Sequence, residues 1–113
     1  MANTAAAAAD VERALRALAD GNRRAILSAI RTNARPVGEL AADLGLSQQT
    51  ASHHLGVLRD AGLVTETRLG ARHLFAVNGH GFAAAREYLD GFWPDKLAAL
   101  RDAVESDLKS RHG

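Results

Sequence analysis

The sequence predicts a mainly α-helical domain with one small β-hairpin, an α+β architecture in the order α-α-α-α-β-β-α. Three observations support this prediction. Apolar residues recur at helical spacing through most of the chain, and residues that cap helices precede several of these segments. A single stretch rich in threonine and valine flanks a Leu-Gly pair, which is typical of a hairpin. At 113 residues, the chain has the length of a single domain with one modest core.

The first part of the chain contains three predicted helices. We expect Asp10 to cap the first helix, residues 1–9 to be a flexible lead-in, and Gly21 to end this helix. Asn22 is the expected cap of the second helix. Pro36 then interrupts the chain before a third, short helix, because proline lacks the N–H that a helix interior requires.

The next helix is predicted over residues 47–62, and only Gly45 and Leu46 separate it from the short helix before it. Ser47 is a suitable cap, since its hydroxyl can accept an N–H from the first turn. A helical wheel assigns one face to a buried apolar seam, made of Ala51, Leu55 and Leu58. The opposite face is polar and has no cluster of like charge. A short helix, a tight turn and a second helix with a polar outer face make a helix-turn-helix, in which this second helix is the recognition helix.

Residues 63–77 are predicted to form the hairpin, which makes the domain a winged helix-turn-helix with Gly70 supplying the positive φ of the wing tip. Leu69 is a poor partner in a two-residue turn that needs positive φ twice, so we expect a slightly longer, bulged loop. Residues 81–109 are expected to form one long helix kinked near Pro94, although two abutting helices remain an alternative.

The polar face of the recognition helix predicts double-stranded DNA as the partner. Glutamine, serine and histidine can hydrogen-bond to base edges in the major groove, and base contacts concentrate in the first turns of such a helix. The residues expected to contact bases are Gln49, Ser52 and His53. Those expected to hold phosphates are Thr50, Arg68 and Arg72. The predicted DNA-binding set also includes Ser47, Gln48 and His54, and for His54 a packed, hydrogen-bonded side chain at the core border is the favoured alternative.

Apolar stripes on the first and last helices predict a homodimer. A core with few aromatic residues is thin, and an interface between two copies would help to complete it. A symmetric dimer with one recognition helix per chain would bind a palindromic site. The predicted interface residues are Val11, Leu15, Leu18, Trp93, Leu97, Leu100, Val104 and Leu108.

Several classes of protein are excluded or disfavoured by composition. The absence of cysteine excludes disulfides, thiolate metal sites and thiol redox switches. No apolar run reaches bilayer length and no signal-peptide core is visible, so we expect a cytoplasmic protein without a membrane partner. Neither a phosphate-binding loop nor a nucleophile motif is present, and Ser52 and His53 are sequence neighbours rather than a catalytic pair. The sequence therefore predicts no enzyme activity and no cofactor.

Three segments carry a family resemblance: "LADGNRRAILSAI", "VGELAADLGLSQQTASHHLGVLRDAGLV" and "RLGARHLFAV". From about Leu15 to Val77 the chain resembles the ArsR (arsenical-resistance repressor) family of winged helix-turn-helix transcription factors. The ending "FWPDKLAAL" is similar to a subgroup with an F-W-x-x-x-L terminal helix. The resemblance implies a transcriptional regulator, usually a repressor, that binds an imperfect palindrome in a promoter. It also implies a homodimer formed through the first and last helices.

The chain departs from the metal-sensing members of that family. Their C-V-C cysteines align with Pro36 and Gly38, neither of which can bind a metal through its side chain. A second family site uses histidines and acids of the terminal helix. Here that helix offers Asp95, Asp102, Glu105 and Asp107, with His112 in the tail. Carboxylates alone bind hard cations weakly, and His53 and His54 point about 100° apart on their helix.

We therefore predict no metal site, and the sequence identifies no effector. Two alternatives remain. One is a metal-responsive repressor with a site that uses no cysteine, and the other is a winged-helix module for protein–protein contact. The absence of aromatic residues on the outer face of the recognition helix argues against the second, because protein interfaces favour aromatic anchors.

Overall fold

The computed structural model describes the backbone of residues 2–92 and 94–112, and the side chains of residues 8–92 and 98–110. Two strands form one antiparallel hairpin, β1 and β2, and a 3-10 turn over Gly79–Phe82 follows it. The arrangement confirms the predicted winged helix-turn-helix. The elements are α1 (Ala2–Leu18), α2 (Gly21–Ala29), α3 (Val37–Leu44), α4 (Gln48–Asp60), β1 (Val64–Leu69), β2 (Arg72–Val77), α5 (Ala83–Asp90) and α6 (Pro94–His112).

The core is aliphatic and lies where α1 to α5 meet the base of the hairpin. Its largest fully buried side chains are Ile26, Ile30, Leu40, Leu55, Leu58 and Leu63. Phe75 from β2 packs against this cluster. The predicted seam of α4 is buried along its whole length, since Ala51 joins Leu55 and Leu58 in the core. Burial of this seam fixes which face of α4 is turned outward.

The first helix begins earlier than expected. α1 already starts at Ala2, so Asp10 lies inside the helix and is not its cap, and residues 2–9 belong to the helix. Alanine has the highest helix propensity of all residues, which allows the tract before Asp10 to continue the helix. The Asp10 carboxylate instead pairs with Arg13 one turn later, at 3.3 Å.

The expected cap of the second helix is also wrong. Asp20, not Asn22, is the N-cap of α2, and its Oδ1 accepts the backbone N–H groups of Asn22 at 2.8 Å and Arg23 at 3.2 Å. α1 ends at Leu18 and Gly21 is the first residue of α2, so Gly21 does not terminate α1. The hydrogen bond from the Arg23 N–H is the largest cause that lowers the pKa of Asp20.

The wing tip is a two-residue turn and not the longer, bulged loop that was expected. Leu69 pairs directly with Arg72, so only Gly70 and Ala71 lie between the strands. Gly70 has a φ of +64°. Within the described residues, only glycines have a positive φ. The expectation was wrong because a turn with glycine at its first central position needs positive φ there alone.

The last part of the chain forms two helices rather than one kinked helix. At the end of α5, the N–H groups of Gly91 and Phe92 bond to the carbonyls of Tyr88 and Leu89, three residues earlier, at 3.3 and 3.1 Å. These bonds tighten the chain into a turn before α6 begins at Pro94. Proline has no N–H to continue the α-helical ladder, so the helix ends here instead of bending.

A backbone bridge joins the wing to the helices. Arg35, in the segment before α3, exchanges both backbone hydrogen bonds with Phe75 of β2, at 3.0 and 2.9 Å. Arg35 thus pairs with the free edge of β2 and holds the base of the wing against the helix-turn-helix. The Arg35 side chain in turn forms ion pairs with Glu39 and Asp43 of α3.

Candidate nucleic-acid interface

The recognition helix α4 begins at a pair of interacting hydroxyls. Ser47 is its N-cap, and the Ser47 Oγ accepts the backbone N–H of Thr50 at 3.0 Å, as predicted. The Ser47 hydroxyl also donates to Thr50 Oγ1 at 2.8 Å. Because Thr50 accepts through its oxygen, its own hydroxyl hydrogen remains available to donate to a phosphate. The cap therefore orders both hydroxyls at the end of α4 that enters the DNA in known helix-turn-helix proteins.

The three side chains expected to contact bases lie together on the outer face of α4. Gln49, Ser52 and His53 are all exposed, and the buried seam lies on the opposite side of the helix. Gln48 is exposed as well. These side chains offer hydrogen-bond donors and acceptors without a fixed charge, which suits recognition of base edges rather than bulk attraction to phosphates.

His54 is not part of this surface, and its inclusion in the DNA-binding set was wrong. Only 7% of its area is exposed, and its Nδ1 lies 3.3 Å from Nη1 of Arg23 on α2. The favoured alternative, a packed and hydrogen-bonded histidine, is what the structure contains. Because the Arg23 guanidinium can only donate, His54 Nδ1 is the acceptor of this bond.

The two wing arginines lie on opposite faces of the hairpin. Residues directly paired across the strands share a face, so Arg68 lies with His73, whereas Arg72 lies with Leu69 on the other face. Arg72 reaches back to α3, where its Nη2 is 3.9 Å from Oε1 of Glu39. Within the described part of the chain, Arg68 has no such partner. The two residues were expected to act alike, and their surroundings make them different.

A further ion-pair cluster joins α4 to the wing, and the sequence analysis missed it. Glu66 of β1 accepts from Arg59 of α4 at 3.1 Å and from His73 Nδ1 of β2 at 2.7 Å. The hydrogen bond from His73, followed by that from Arg59, holds the pKa of Glu66 below its ordinary value. The cluster fixes the wing relative to the end of the recognition helix.

Comparisons with known proteins agree with this geometry. The profile of a family described as a helix-turn-helix domain matches residues 18–67, which include α2, α3, α4 and the start of the wing. The HTH-type transcriptional regulator Rv2034 of Mycobacterium tuberculosis is 41% identical over 96 residues, which are 85% of this chain and 90% of that protein.

Solved structures give the same result. One is the solution structure of a homodimeric winged helix-turn-helix DNA-binding domain from Mycobacterium bovis, described as a possible ArsR-family transcriptional regulator. It matches 91% of this chain and 84% of its own with a TM-score of 0.65 and 32% identity. An ArsR-like transcriptional regulator from Rhodococcus matches 84% of this chain and 92% of its own, with a TM-score of 0.67 and 28% identity.

This chain belongs to the ArsR family. It is a winged helix-turn-helix DNA-binding transcriptional regulator, as the sequence predicted. The match to Rv2034 extends beyond the helix-turn-helix over most of both chains. The outer face of α4 is therefore the candidate DNA-reading surface of an ArsR-family regulator.

The predicted dimer residues of this ArsR-family chain differ in their surroundings. On α6, Leu100, Val104 and Leu108 are between 49% and 61% exposed. On α1, Leu15 is exposed, whereas Leu18 packs against the core of its own chain. Val11 is partly buried and lines a groove between α1 and α5. Trp93 lies outside the described residues, as does the side chain of Leu97.

The described part of this ArsR-family protein contains neither a cluster of metal-binding side chains nor a membrane-spanning helix. No three histidine or acidic side chains among the described residues come together in a way that could hold a metal ion. None of the helices described is long and apolar enough to cross a bilayer.

Three residues of the interface region were missed by the sequence analysis: Arg23, Glu39 and Glu66. Each acts through a contact with another element of the fold. Arg23 and His54, for example, are 31 positions apart. No local pattern marks such pairs, because only the tertiary fold brings the two elements together.

Proposed function

We propose that this ArsR-family chain is a cytoplasmic repressor that binds a palindromic promoter operator as a homodimer, with α4 of each protomer in a major groove. The observation that carries the proposal is the face of α4 formed by Gln49, Ser52 and His53. Three polar, exposed side chains stand opposite a fully buried seam, at the end of the helix ordered by the Ser47 cap. This arrangement supports sequence reading rather than general attraction to a polyanion.

Exposed apolar surface supports the homodimer. The described α6 side chains from 99 to 110 are all exposed, including the apolar ones at positions 100, 104 and 108. Tyr88 and Phe92, near the turn between α5 and α6, form an exposed edge-to-face pair with ring centroids 5.1 Å apart. The Cα radius of gyration is 18.9 Å, against about 13 Å for a compact chain of this length. Such extended apolar surface is expected of a chain that is covered by a second copy.

The α1–α5 groove extends this surface. It has a volume of about 720 Å³, and its apolar lining includes Val11, Leu15, Ala84 and Tyr88. The relative from Mycobacterium bovis with the same fold is described as homodimeric. We therefore assign α1, α5 and α6 to the dimer interface of this chain.

Footprinting of the protein's own upstream region, followed by gel shift and sedimentation, tests the proposal. The expected result is a protected two-fold symmetric sequence bound by a dimer. Ser52→Ala is expected to lose about 1–3 kcal/mol on this operator and little on a scrambled duplex. Ser28→Ala is the matched control, because Ser28 is exposed on α2, away from the reading face. A monomer that binds all duplexes alike would contradict the proposal.

A further inference from the structure

Arg23 makes contacts with two elements that have different tasks in the proposed function. Its Nε donates to the carbonyl of Ala17 at 2.7 Å, and its Nη2 donates to the carbonyl of Arg16 at 3.1 Å. Both carbonyls belong to the last turn of α1; that of Arg16 also accepts the backbone N–H of Ala19 at 3.2 Å. The third nitrogen, Nη1, reaches His54 of α4. One guanidinium thus connects the end of α1 with the middle of the recognition helix.

His54 is well placed to transmit the position of α1 to the reading face. It is the one polar side chain buried in the described core, and it follows directly after His53. The two histidine rings are 5.6 Å apart. Since the remaining buried contacts of α4 are apolar and non-directional, the bond from Arg23 is a directional restraint on the rotation of α4 about its axis.

α1 also lines the groove assigned above to the dimer interface, through Leu15 and Arg16, and Ala19 lines it just after the helix. Arg16 therefore lines the groove, and its carbonyl accepts a hydrogen bond from Arg23. A movement of α1 at the interface would displace Arg23 and, through it, the contact to His54.

The geometry points to Arg23 as a positioning residue, which sets the orientation of the recognition helix against α1 through His54. This inference rests on the proposed function, because it requires α4 to read DNA. According to this inference, Arg23 itself does not contact DNA. Its effect is on the discrimination between operator and other sequences, since only base contacts depend on the exact orientation of α4, whereas phosphate contacts tolerate small rotations.

Arg24 offers a matched control within the same helix. Its Nη1 donates to the carbonyl of Leu18 at 2.8 Å, so it also bonds to the end of α1, but among the described residues no hydrogen bond or ion pair joins it to α4. Arg23→Ala and Arg24→Ala remove the same charge and the same kind of bond to α1. Arg23→Ala is expected to reduce the ratio of operator to scrambled-duplex affinity about tenfold. Arg24→Ala is expected to leave this ratio unchanged.

A second pair of variants tests the His54 end of the contact, and keeps the test valid if Arg23→Ala fails to fold. His54→Asn retains an acceptor close to the position of Nδ1, while His54→Leu fills the space without one. We expect His54→Asn to keep the discrimination ratio and His54→Leu to lose it to the same extent as Arg23→Ala. The double variant Arg23→Ala/His54→Leu should lose no more than either single variant, because both changes remove one contact.

Affinities for the operator and the scrambled duplex, measured alongside thermal unfolding, decide the question. Equal effects of Arg23→Ala and Arg24→Ala on the ratio would overturn the inference. So would equal ratios for His54→Asn and His54→Leu, since a merely structural role would not distinguish them. A wild-type protein without any preference among duplexes would contradict the proposed function itself, and this inference with it.

Discussion

Gly81 lies directly against the carbonyl of Gly62, so closely that a Cβ built on Gly81 would overlap the carbonyl oxygen. Gly62 follows the recognition helix, and Gly81 belongs to the 3-10 turn before α5. The same carbonyl accepts the side-chain N–H of Asn78 at 2.9 Å. This contact between two backbones brings the end of α4 against the start of the C-terminal helices, and only glycine permits it.

Gly81→Ala is therefore expected to destabilise the fold by about 1–3 kcal/mol or more, because the obstructing atoms are backbone and cannot turn aside. Gly79→Ala in the same turn is the control, since a Cβ at Gly79 meets nothing within 4 Å. Urea unfolding of both variants measures the difference. Equal stability of the two variants would contradict the close approach.

The two wing arginines are expected to contribute differently to DNA binding. To bind a phosphate, Arg72 must leave Glu39, and the Glu39 carboxylate then takes up a cation. Arg68 has no partner to leave among the described residues. Arg68→Ala should lower the slope of log K against log salt by about 0.9, on operator and scrambled duplex alike. Arg72→Ala should lower it less. Titrations across a salt series measure both slopes, and a larger effect of Arg72→Ala would show that Glu39 does not restrain that residue.

Leu100→Glu is expected to convert the proposed dimer to monomers and to abolish operator binding without altering α4. Leu100 is 61% exposed on α6, and a charge there would have to be buried in the interface without a partner. Ser106→Glu is the control, because it introduces the same charge on the same helix, nearly opposite the stripe formed by Leu100, Val104 and Leu108. Sedimentation and gel shift measure both effects. An unchanged sedimentation coefficient for Leu100→Glu would exclude this part of α6 from the interface.

Replacement of the α2 cap should change how stability depends on pH. The pKa of Asp20 is lowered in the folded state, mainly by the hydrogen bond from the Arg23 N–H, so the carboxylate stabilises the fold above its unfolded pKa of about 3.9. This contribution is lost as pH falls through the lower pKa of the folded state. Asp20→Asn retains a capping oxygen but cannot titrate. The melting temperatures of wild type and Asp20→Asn should differ most near pH 6 and converge below about pH 4, and a constant difference would contradict the assignment.

Local sequence features predicted most of the helix-turn-helix. The Ser47 cap and the buried seam of α4 are both where the sequence analysis expected them. Each depends on contacts within about four residues, or on a helical period that can be read along the chain. The family resemblance, which covered the same segments, was confirmed.

The errors in the prediction occurred where two local rules competed. Asp20 and Asn22 both have side chains that cap helices, and the alanine tract before Asp10 allowed an earlier start of α1. At the other end of the domain, the apolar spacing across Gly91 and Pro94 favoured one helix. The lost N–H of proline instead ended α5 and left a tight turn before α6.

What the sequence by itself determined is the architecture and the face of α4 that is turned outward, because the periodic burial of Ala51, Leu55 and Leu58 requires it. Only the tertiary structure decided the contacts of His54 with Arg23, of Arg72 with Glu39 and of Gly81 with Gly62. The physical reason is the separation of the interacting residues along the sequence. A helix is specified by hydrogen bonds and side chains a few residues apart, whereas these three contacts join residues 19 to 33 positions apart, and the whole fold must form before they exist.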